Sequence, residues 1–468
     1  NILFMDLPSY RNVFPEQHSA FLKIFQEIIS DRRSSLATNA AFEKRWIINS
    51  LLNFKTVLNT PNIIVERNGY FKDKPAVLVA AGPSLDYELE NLKYLKENGL
   101  AYIFSVGSAI NSLLASGIKP HAQCTYDPSE NNQKKVFSRI TKEQITDIPL
   151  IFGSSVGFEV LQKYPGKHKM HMITSQDTIS SYLLKIDDNT QLDGVYDAPS
   201  IAVVTLQMLY KLGFNPIILV GQNLSYGDNR LYAHGIDYWK GARLDSKTVD
   251  GLIKIKDVEG NEVYTKLSFN RMKLAMESVI RSMEKVKVIN TTRGGAHIEG
   301  TEFCYLDQML AENFFSEQVV EPSWYDIPVT NYDREYLKKR FYRLKKDYEE
   351  LVPSLVRVLE IINEINAWKE KGSHRNIDYC WPKLDDAFKK VTRNQIFKSV
   401  MRPMNRVATE ALFAQIPIIR HESDPIHKAE EAVGLYGRVV KGCLVDMQLI
   451  APCIAELDEV INRFDEWK

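Results

Sequence analysis

The spacing of apolar residues changes twice along the chain. From residue 1 to about 68 apolar residues recur at helical intervals, as Phe42, Trp46, Ile47 and Leu51 do. From there to about residue 325, short apolar runs alternate with amphipathic stretches, and charged amphipathic stretches then continue to the end. The pattern predicts the C-terminal part of a mainly helical N-terminal domain (1–68), an α/β domain (69–325) and an all-α C-terminal domain (326–468).

The central segment predicts a mostly parallel sheet covered by helices on both faces. Apolar runs predict strands at Ala76–Ala81, Ala101–Val106, Ala122–Tyr126, Leu150–Gly153, His168–Ile173, Pro216–Gly221 and Val286–Asn290. Helical stretches are predicted at Leu85–Asn98, Ala109–Ser116, Gly157–Lys163, Ile201–Leu212 and Ser268–Lys285. Residues 62–66 predict a short strand, and residues 252–258 and 261–267 predict a hairpin. Apolar strands alternating with helices of this length are typical of an α/β fold.

The final segment predicts helices without strands. Amphipathic stretches occur at Tyr336–Ala367, Leu384–Thr392, Gln395–Met401 and Ala429–Phe464. This segment shows no pattern of catalytic residues, so we expect an interaction or scaffold role for it.

Composition narrows the class of protein. The 468 residues are 44% hydrophobic and 25% charged, and Lys+Arg and Asp+Glu are both 59, so bulk charge does not argue for nucleic acid or an anionic membrane. The five cysteines are scattered, which predicts reduced thiols in a cytoplasmic protein. No apolar run approaches the ~20 residues of a membrane span. The chain starts at Asn1 without a basic, apolar leader, so we expect no signal peptide and some sequence upstream.

Ligands of parallel sheets bind beyond the carboxyl ends of the strands. That rule selects the predicted loops Gly82–Asp86, Gly107–Asn111, Asp127–Asn132, Ser154–Ser155 and Gly221–His234. A functional site is expected where these loops meet.

The first of these loops has the pattern of a phosphate site. Gly82 permits a tight turn after the apolar strand, and Pro83 and Ser84 are typical first-turn and capping residues. A helix that begins there would direct unpaired N–H groups at a phosphate. Such turns also occur in α/β domains without any ligand.

Other polar residues at the predicted edge have two interpretations. Asp127 either caps the following helix or contacts a ligand, and Ser154 and Ser155 are expected to cap rather than to donate to a ligand. The amides of Gln222 and Asn223 directly follow a strand and suit a sugar or base edge.

Two later segments carry further candidates. Gly294 and Gly295 follow the last strand, which indicates either a backbone close to a ligand or a simple turn. The long polar loop 222–250 predicts a lid or binding loop. Within it His234 is the best-placed general base, with an ordinary surface role as the alternative.

Several familiar chemistries are disfavoured. His168 and His171 would point to opposite faces of a strand, which argues against a metal pair. The chain has no GxxxxGK loop, no GxGxxG fingerprint and no Ser-His-Asp order, so ordinary kinase and NAD-binding functions are weakly supported.

An ordered set of motifs resembles one family. The set comprises Ala80–Leu85, Gly117–His121 followed by Tyr126-Asp127-Pro128, Gly221–Tyr226, Tyr232–His234 and Gly294–Gly300. Together they resemble the motility-associated factor (Maf) flagellin glycosyltransferases. The resemblance implies transfer of a nonulosonic acid of pseudaminic or legionaminic type, from its CMP-activated donor to Ser or Thr of flagellin. It places the enzyme in the cytoplasm and in assembly of the bacterial flagellum.

The central domain is also similar to bacterial sialyltransferases that use CMP-sialic acid, which implies a Rossmann-like fold. In that resemblance Gly82 and Ser84 hold the nucleotide, Tyr226 and Tyr232 contact the phosphate, and no metal is expected. The further donor-site residues expected here are Pro83, Gly107, Asp127, Ser154, Ser155, Ser200, Gly221, Gln222, Asn223, Gly294, Gly295 and His297. Ala81 replaces an Asn of those enzymes.

The base of those sialyltransferases has no counterpart here. Their base histidine corresponds to the neighbourhood of Ser268 and Phe269, where this chain has no histidine. His234 is therefore the expected base, with His297 or Asp127 next.

Two other functions stay open. A 6-hydroxymethylpterin diphosphokinase would share the Gly-Pro-Ser-Leu domain, but it would use ATP and Mg²⁺. A non-enzymatic protein would sense a nucleotide in the central domain, while its C-terminal helices bind flagellin or an export chaperone.

Overall fold

The central part of the chain is built on a parallel sheet. The computed structural model describes residues 7–187, 192–227, 229–236 and 251–463. Its strands are β1 (Ala76–Val79), β2 (Tyr102–Val106), β3 (Ala122–Thr125), β4 (Leu150–Gly153), β5 (Lys169–Met172), β6 (Ile217–Val220), β7 (Ile253–Lys256), β8 (Glu262–Thr265), β9 (Val288–Asn290) and β10 (Glu302–Phe303). All except β7 and β8 form one sheet in the order β10-β9-β6-β1-β2-β3-β4-β5, with parallel neighbours. The predicted Rossmann-like α/β fold is confirmed.

Helices precede, cover and follow the sheet. They are α1 (Pro8–Val13), α2 (Pro15–Leu58), α3 (Ile63–Glu66), α4 (Leu85–Glu97), α5 (Ala109–Ala115), α6 (Ser138–Lys142), α7 (Phe158–Lys163), α8 (Thr178–Leu183), α9 (Ile201–Leu212), α10 (Leu267–Ser282), α11 (Leu306–Ala311), α12 (Arg334–Glu370), α13 (His374–Arg393), α14 (Arg402–Met404), α15 (Arg406–His421) and α16 (Pro425–Asn462). Two π-helical turns lie at Asn132–Val136 and Phe397–Met401. None of the described helices is long and apolar enough to cross a membrane.

The direction of chain travel across the sheet reverses between β1 and β6. Strands β1 to β5 run outward on one side of β1, and β6 returns to its other side. Alternating side chains of β1 pack on opposite faces, with Leu78 in the core that includes α9 and Val79 in the core that includes α4. In such sheets a ligand binds beyond the carboxyl ends of the strands at this reversal.

A third core joins the helical flanks to the far edge of the sheet. It contains Phe54 of α2 and Phe152 of β4 together with apolar residues of α12, α13 and α16. Polar contacts follow the same route, since Arg45 of α2 donates to the Pro128 carbonyl at 3.0 Å and also pairs with Glu159. The predicted domain boundaries at 68 and 325 stay predictions, and one apolar core extends across both of them.

Most predicted strands are present with their ends trimmed by a few residues. Most predicted helices are present too, but α12 is longer at both ends and α13 begins ten residues before the predicted Leu384–Thr392 stretch. Residues 62–66 were predicted wrongly. They form helix α3 instead of a strand, because the Asn62 side chain accepts the N–H groups of Ile64 at 3.1 Å and Val65 at 3.4 Å. This cap outweighs the strand preference of the β-branched residues. Strand β10 and helices α6, α8, α11, α14 and α15 were not predicted.

Two buried histidines connect neighbouring elements. The His121 ring accepts the backbone N–H of Ile103 at 2.8 Å, and the His171 ring lies between the hydroxyls of Thr60 at 2.9 Å and Tyr332 at 2.7 Å. Burial lowers the pKa of both His121 and His171 to about 3. Both rings are therefore neutral in the folded protein near neutral pH.

These pKa values predict how stability depends on pH. The unfolded chain binds protons at each histidine first, near its ordinary pKa of about 6.5, so stability is complete above that pH and is lost as the pH falls toward 3. Each histidine contributes up to about 1.4 kcal/mol per pH unit to that loss. The free energy of unfolding, measured with denaturant at several pH values between about 7 and 5, should therefore fall less steeply with decreasing pH for His171→Asn than for the wild type. Equal slopes would contradict a neutral, buried His171.

Candidate functional site

Three loops meet at the carboxyl ends of β1, β6 and β9. The N–H of Gly82 donates to the Gly221 carbonyl at 2.7 Å, and the N–H of Ala233 donates to the Ala81 carbonyl at 3.0 Å. The loop after β6 therefore lies directly on the turn after β1, at the place where the sheet reverses direction. We call the described residues of the three loops together, 80–87, 221–227, 229–236 and 291–298, the loop junction.

Asn223 is the hydrogen-bonding centre of the loop junction. Its side-chain oxygen accepts both the backbone N–H of Ser84 at 3.1 Å and the Ser84 hydroxyl at 2.8 Å. Its backbone carbonyl accepts the N–H of Ala296 at 2.8 Å. Asn223 is 2% exposed, so these bonds are shielded from water. One residue thus connects the loops that follow β1 and β9.

The glycines of the loop junction are required by contacts within the chain. A Cβ on Gly82 would overlap the Asn223 side chain and the Gly221 carbonyl, and a Cβ on Gly221 would overlap the Ala80 carbonyl. A Cβ on Gly295 would lie 3.0 Å from the Asn223 Cα atom. A close approach of the backbone was predicted at Gly294 and Gly295 as one of two alternatives. It is present at Gly295 but not at Gly294, and its partner, as at Gly82 and Gly221, is another part of the chain.

The predicted capping role of Ser84 is wrong. Helix α4 begins at Leu85, and the Ser84 side chain accepts no N–H group of that helix because its hydroxyl is directed to Asn223. The N–H groups of Leu85, Asp86 and Tyr87 already bond to carbonyls of residues 82–84. Pro83 and Ser84 are also buried. In this conformation the turn does not offer the unpaired N–H groups that the sequence suggested.

The predicted base His234 lies at the outer surface of the loop junction. Its ring nitrogen Nδ1 is 2.6 Å from Asp86 Oδ2, and its backbone N–H donates to Asp86 Oδ1 at 2.9 Å. Arg230 donates to Asp86 Oδ2 at 3.1 Å, and Ser112 donates its hydroxyl to the His234 carbonyl. The His234 side chain is 79% exposed and that of Asp86 15%. The structure therefore gives His234 a carboxylate partner that sequence reasoning missed.

The two predicted phosphate-binding tyrosines have different surroundings. Tyr226 is buried, its backbone N–H donates to the Tyr264 carbonyl at 2.9 Å, and the ammonium of Lys266 lies 5.8 Å from its ring centre. Tyr232 is half-buried at the edge of the core that contains α4. Asp228 and residues 237–250 of the predicted lid loop lie outside the described residues.

Three other predicted residues lie at the ends of β2 and β3 or at the start of α9. The Gly107 carbonyl, in a residue of positive φ (51°), accepts from the Gln123 side chain at 3.1 Å. Ser200 caps α9 by accepting the N–H of Ala202 at 3.2 Å. Asp127 is exposed and accepts the N–H of Ser129 at 2.8 Å, so it caps a turn rather than a helix. These residues form the partly open side of the sheet edge.

Ser154 and Ser155 do not cap a helix, so that prediction is wrong. Both are fully buried, and helix α7 is preceded by Gly157 without a side-chain cap. Ser154 accepts the N–H of Thr174 at 3.3 Å, and the Ser155 and Thr174 hydroxyls are 2.8 Å apart. The two serines connect the end of β4 to the chain after β5.

The segment after β9 is held by charged side chains. Arg293 donates to the fully buried Glu88 of α4 at 3.2 Å and to Asp307 of α11 at 2.6 Å. Gly294 has a positive φ of 58°. The His297 side chain is exposed, and its backbone N–H donates to the Lys256 carbonyl. Arg293 therefore joins the segment after β9 to helices α4 and α11.

Unused hydrogen-bonding capacity remains among the buried amides. Within the described residues, Gln222 Oε1, Asn223 Nδ2 and Asn290 Nδ2 are buried without a hydrogen-bond partner. Buried amides are normally paired, so these atoms leave hydrogen-bonding capacity at the ends of β6 and β9 for ordered water or for a ligand that the loops move to admit.

The predicted separation of the strand histidines is also present. His168 packs against Tyr325 with ring centres 4.5 Å apart, whereas His171 bonds Thr60 and Tyr332. Within the described part of the chain, no three or more His, Cys, Asp or Glu side chains are grouped so that they could hold a metal ion.

Comparisons with known proteins relate the fold to two groups. A family model described as 6-hydroxymethylpterin diphosphokinase MptE-like matches residues 48–229. The chain is similar to a solved structure described as "Structure of MAf glycosyltransferase from Magnetospirillum magneticum AMB-1", with 14% sequence identity and a TM-score of 0.55 over 91% of this chain. The match covers 63% of that longer chain. No protein of curated function matches. The predicted resemblance to the Maf glycosyltransferases is confirmed as a similarity of fold.

The packing around Gly82 predicts a large loss of stability for Gly82→Ala. The new methyl group would push Asn223 and Gly221 away, so we expect the free energy of unfolding to fall by about 2–4 kcal/mol. Gly434→Ala is the matched control, because Gly434 is a helical glycine with open space around it and should gain up to about 1 kcal/mol. Denaturant unfolding of both variants measures this difference. Similar small effects in the two variants would contradict the chain-on-chain packing at Gly82.

Proposed function

We propose that this protein is a glycosyltransferase that moves a nonulosonic acid from its CMP-activated donor to Ser or Thr hydroxyls of flagellin. The fold similarity to a structure described as a Maf glycosyltransferase is the observation that carries the proposal. The His234–Asp86 pair at the carboxyl edge of the sheet also supports the proposal, because it offers a general base for the acceptor hydroxyl. The carboxyl edge of a parallel sheet is where such folds bind nucleotides. A base at this edge that faces solvent can be reached by an acceptor as large as a protein.

The proposed reaction needs a base more than it needs an acid. The acceptor oxygen attacks the anomeric carbon of the donor, the new glycosidic C–O bond forms, and the C–O bond to the phosphate of CMP breaks. CMP leaves as a stable anion, so proton donation to the leaving group adds little. The proton of the acceptor hydroxyl goes to the ring nitrogen Nε2 of His234.

The donor is proposed to lie along the ends of β1, β2 and β3. Gly107, Asp127 and Ser200 border this side of the edge, and Asp127 is exposed there. The unpaired amide atoms of Gln222 and Asn223 offer one acceptor and one donor for polar groups of the donor. Their burial means that the loop junction must shift slightly for a ligand to reach them.

Charge that develops on the phosphate needs side-chain donors, because the N–H groups after Gly82 are occupied. Arg230 and the hydroxyl of Tyr232 are the proposed donors, since both lie in the same loop as His234. Tyr226 is buried beside Lys266, and we propose that it contributes to phosphate binding from the buried side of the loop. The proposed chemistry uses no metal.

Flagellin is the proposed acceptor and the proposed partner of the helical region. Helix α12 exposes Tyr342, Val352 and Val356, which are 74%, 39% and 40% accessible. Val352 and Val356, four residues apart on one face of the helix, are the part of this surface that we propose for contact with the partner. A flagellin export chaperone is a second proposed partner, and the site of action is proposed to be the cytoplasm.

A second candidate function rests on the family model that matches residues 48–229. A protein of that description would transfer diphosphate from ATP to a hydroxymethylpterin and would use Mg²⁺. The two functions differ in the nucleotide that the protein binds.

Calorimetric titration separates the two candidates. We expect the wild-type protein to bind CMP and to bind ATP with Mg²⁺ at least about tenfold more weakly, a difference of about 1.4 kcal/mol. UMP is the matched control for recognition of the base. Tight binding of ATP with Mg²⁺ and no binding of CMP would reject the glycosyltransferase.

Replacement of the proposed base tests the chemistry. His234→Ala should leave CMP affinity within about threefold of the wild type and reduce glycosylation of co-expressed flagellin by about 10²–10⁴-fold, the range of general-base catalysis. His427→Ala is the matched control, because His427 is also exposed and 3.8 Å from a carboxylate, that of Glu422, but lies in α16. If His234→Ala retains full transfer, the base lies elsewhere, and His297→Ala and Asp127→Asn are the next variants.

A further inference from the structure

We propose that Asp86 is the positioning residue for His234, and that it fixes the ring in the tautomer whose Nε2 nitrogen accepts the proton. This inference rests on the proposed function for the role of His234 as the base. The arrangement of Asp86 around His234 stands on geometry alone.

Asp86 holds His234 at two points. One carboxylate oxygen accepts the His234 backbone N–H at 2.9 Å, while the other lies 2.6 Å from the ring nitrogen Nδ1. A backbone anchor combined with a ring anchor fixes both the position of the residue and the rotation of its side chain. The ring is 79% exposed, so packing against neighbours does little to orient it. The orientation of the ring therefore depends on this carboxylate.

The carboxylate also selects the tautomer. An ionised carboxylate accepts hydrogen bonds and donates none, so the nitrogen that faces it must carry the proton. In a neutral His234 ring this leaves Nε2 unprotonated, as a base requires. Without Asp86 either nitrogen could carry the proton.

Arg230 supports the carboxylate without occupying Nε2 along its lone pair. A guanidinium nitrogen of Arg230 donates to Asp86 Oδ2 at 3.1 Å. The same nitrogen lies 3.1 Å from Nδ1 and 3.2 Å from Nε2 of His234. A group almost equally distant from both ring nitrogens lies over the face of the ring, because an in-plane donor would approach one nitrogen only. No other group of the described residues bonds Nε2, and the side chain is 79% exposed, so a substrate hydroxyl can approach that nitrogen in the plane of the ring.

The position of Asp86 links the base to the proposed nucleotide site. Asp86 lies in the first turn of α4, two residues after Ser84, which is tied to Asn223. Ser84, Asp86 and His234 thus belong to one hydrogen-bonded assembly. A movement of the turn on donor binding would carry the base with it.

The test combines a spectroscopic signature with kinetics on the full chain. Proton-coupled nitrogen NMR of protein labelled at histidine reports which ring nitrogen carries the proton, and His234→Gln assigns the signal. We expect the Nδ1–H form in the wild type and its loss in Asp86→Asn. Asp147→Asn is the matched control, because it removes an exposed carboxylate that pairs with Lys119 at 2.6 Å.

The rate of transfer should change together with the tautomer of His234. Asp86→Asn should lower kcat for transfer by about 10²-fold or more, with KM for the CMP-activated donor within about threefold of the wild type. Asp86→Glu should restore part of kcat because it keeps the carboxylate. Asp147→Asn should change neither the tautomer nor kcat.

The outcomes separate the two proposals. A wild-type protein whose His234 carries its proton on Nε2, or an Asp86→Asn variant that keeps the wild-type signature and kcat, would overturn the role of Asp86. If the wild type shows the Nδ1–H form and Asp86→Asn loses it, while CMP-dependent transfer is absent, Asp86 positions His234 and the proposed function is rejected instead.

Discussion

The candidate site depends on the hydrogen bonds that Asn223 makes with the two neighbouring loops. Its oxygen accepts both donors of Ser84, and its backbone carbonyl accepts the N–H of Ala296. Each such buried bond contributes about 1 kcal/mol, and leaving its partners unpaired would cost more. Gly82, Gly221 and Gly295 allow the three loops to approach Asn223 closely enough to make these bonds. The glycines and the amide therefore act as one structural unit at the reversal of the sheet.

This unit limits which groups at the sheet edge are available to a ligand. It occupies the N–H groups of Gly82 and Ser84, while those of residues 85–87 bond to carbonyls of residues 82–84. No N–H group of this turn, all of which the structure describes, is left for an anion, so the proposed phosphate contacts come from side chains of the loop after β6. The same unit also places that loop over α4, where Asp86 meets His234. The turn that resembles a phosphate cradle in the sequence is, in the structure, the support for a histidine and its carboxylate.

Local patterns were sufficient for most of the fold and for the place of the site. Apolar runs such as Val77–Val79 predicted the sheet. The strand-end rule selected the loops after β1 and β6, which do meet, but not the loop after β9 that joins them. The partners of the site residues could not be predicted in this way. Asp86 and His234 are 148 positions apart, and Ser84 and Asn223 are 139 apart, so no local spacing relates them.

Errors arose where a distant partner outweighed a local preference. Serine is a common capping residue at the start of a helix, yet the hydroxyl of Ser84 bonds Asn223 instead. Ser154 and Ser155 were predicted as caps from their place after β4, but burial beside Thr174 gives them other partners. The prediction for residues 62–66 failed for the opposite reason, because a local Asn62 cap favoured a helix over the strand that the β-branched residues suggested.

A crystal structure of the protein with CMP tests the central claim most directly. The account predicts CMP beyond the carboxyl ends of β1, β2 and β3, with its phosphate on the side of Arg230 and Tyr232 and with His234 Nε2 facing the space next to that phosphate. CMP bound elsewhere, for example in the 210 Å³ cleft lined by Trp381, Arg420 and Lys428 in the helical region, would contradict it. A site at the sheet edge in which His234 points away from the phosphate would contradict the assignment of the base.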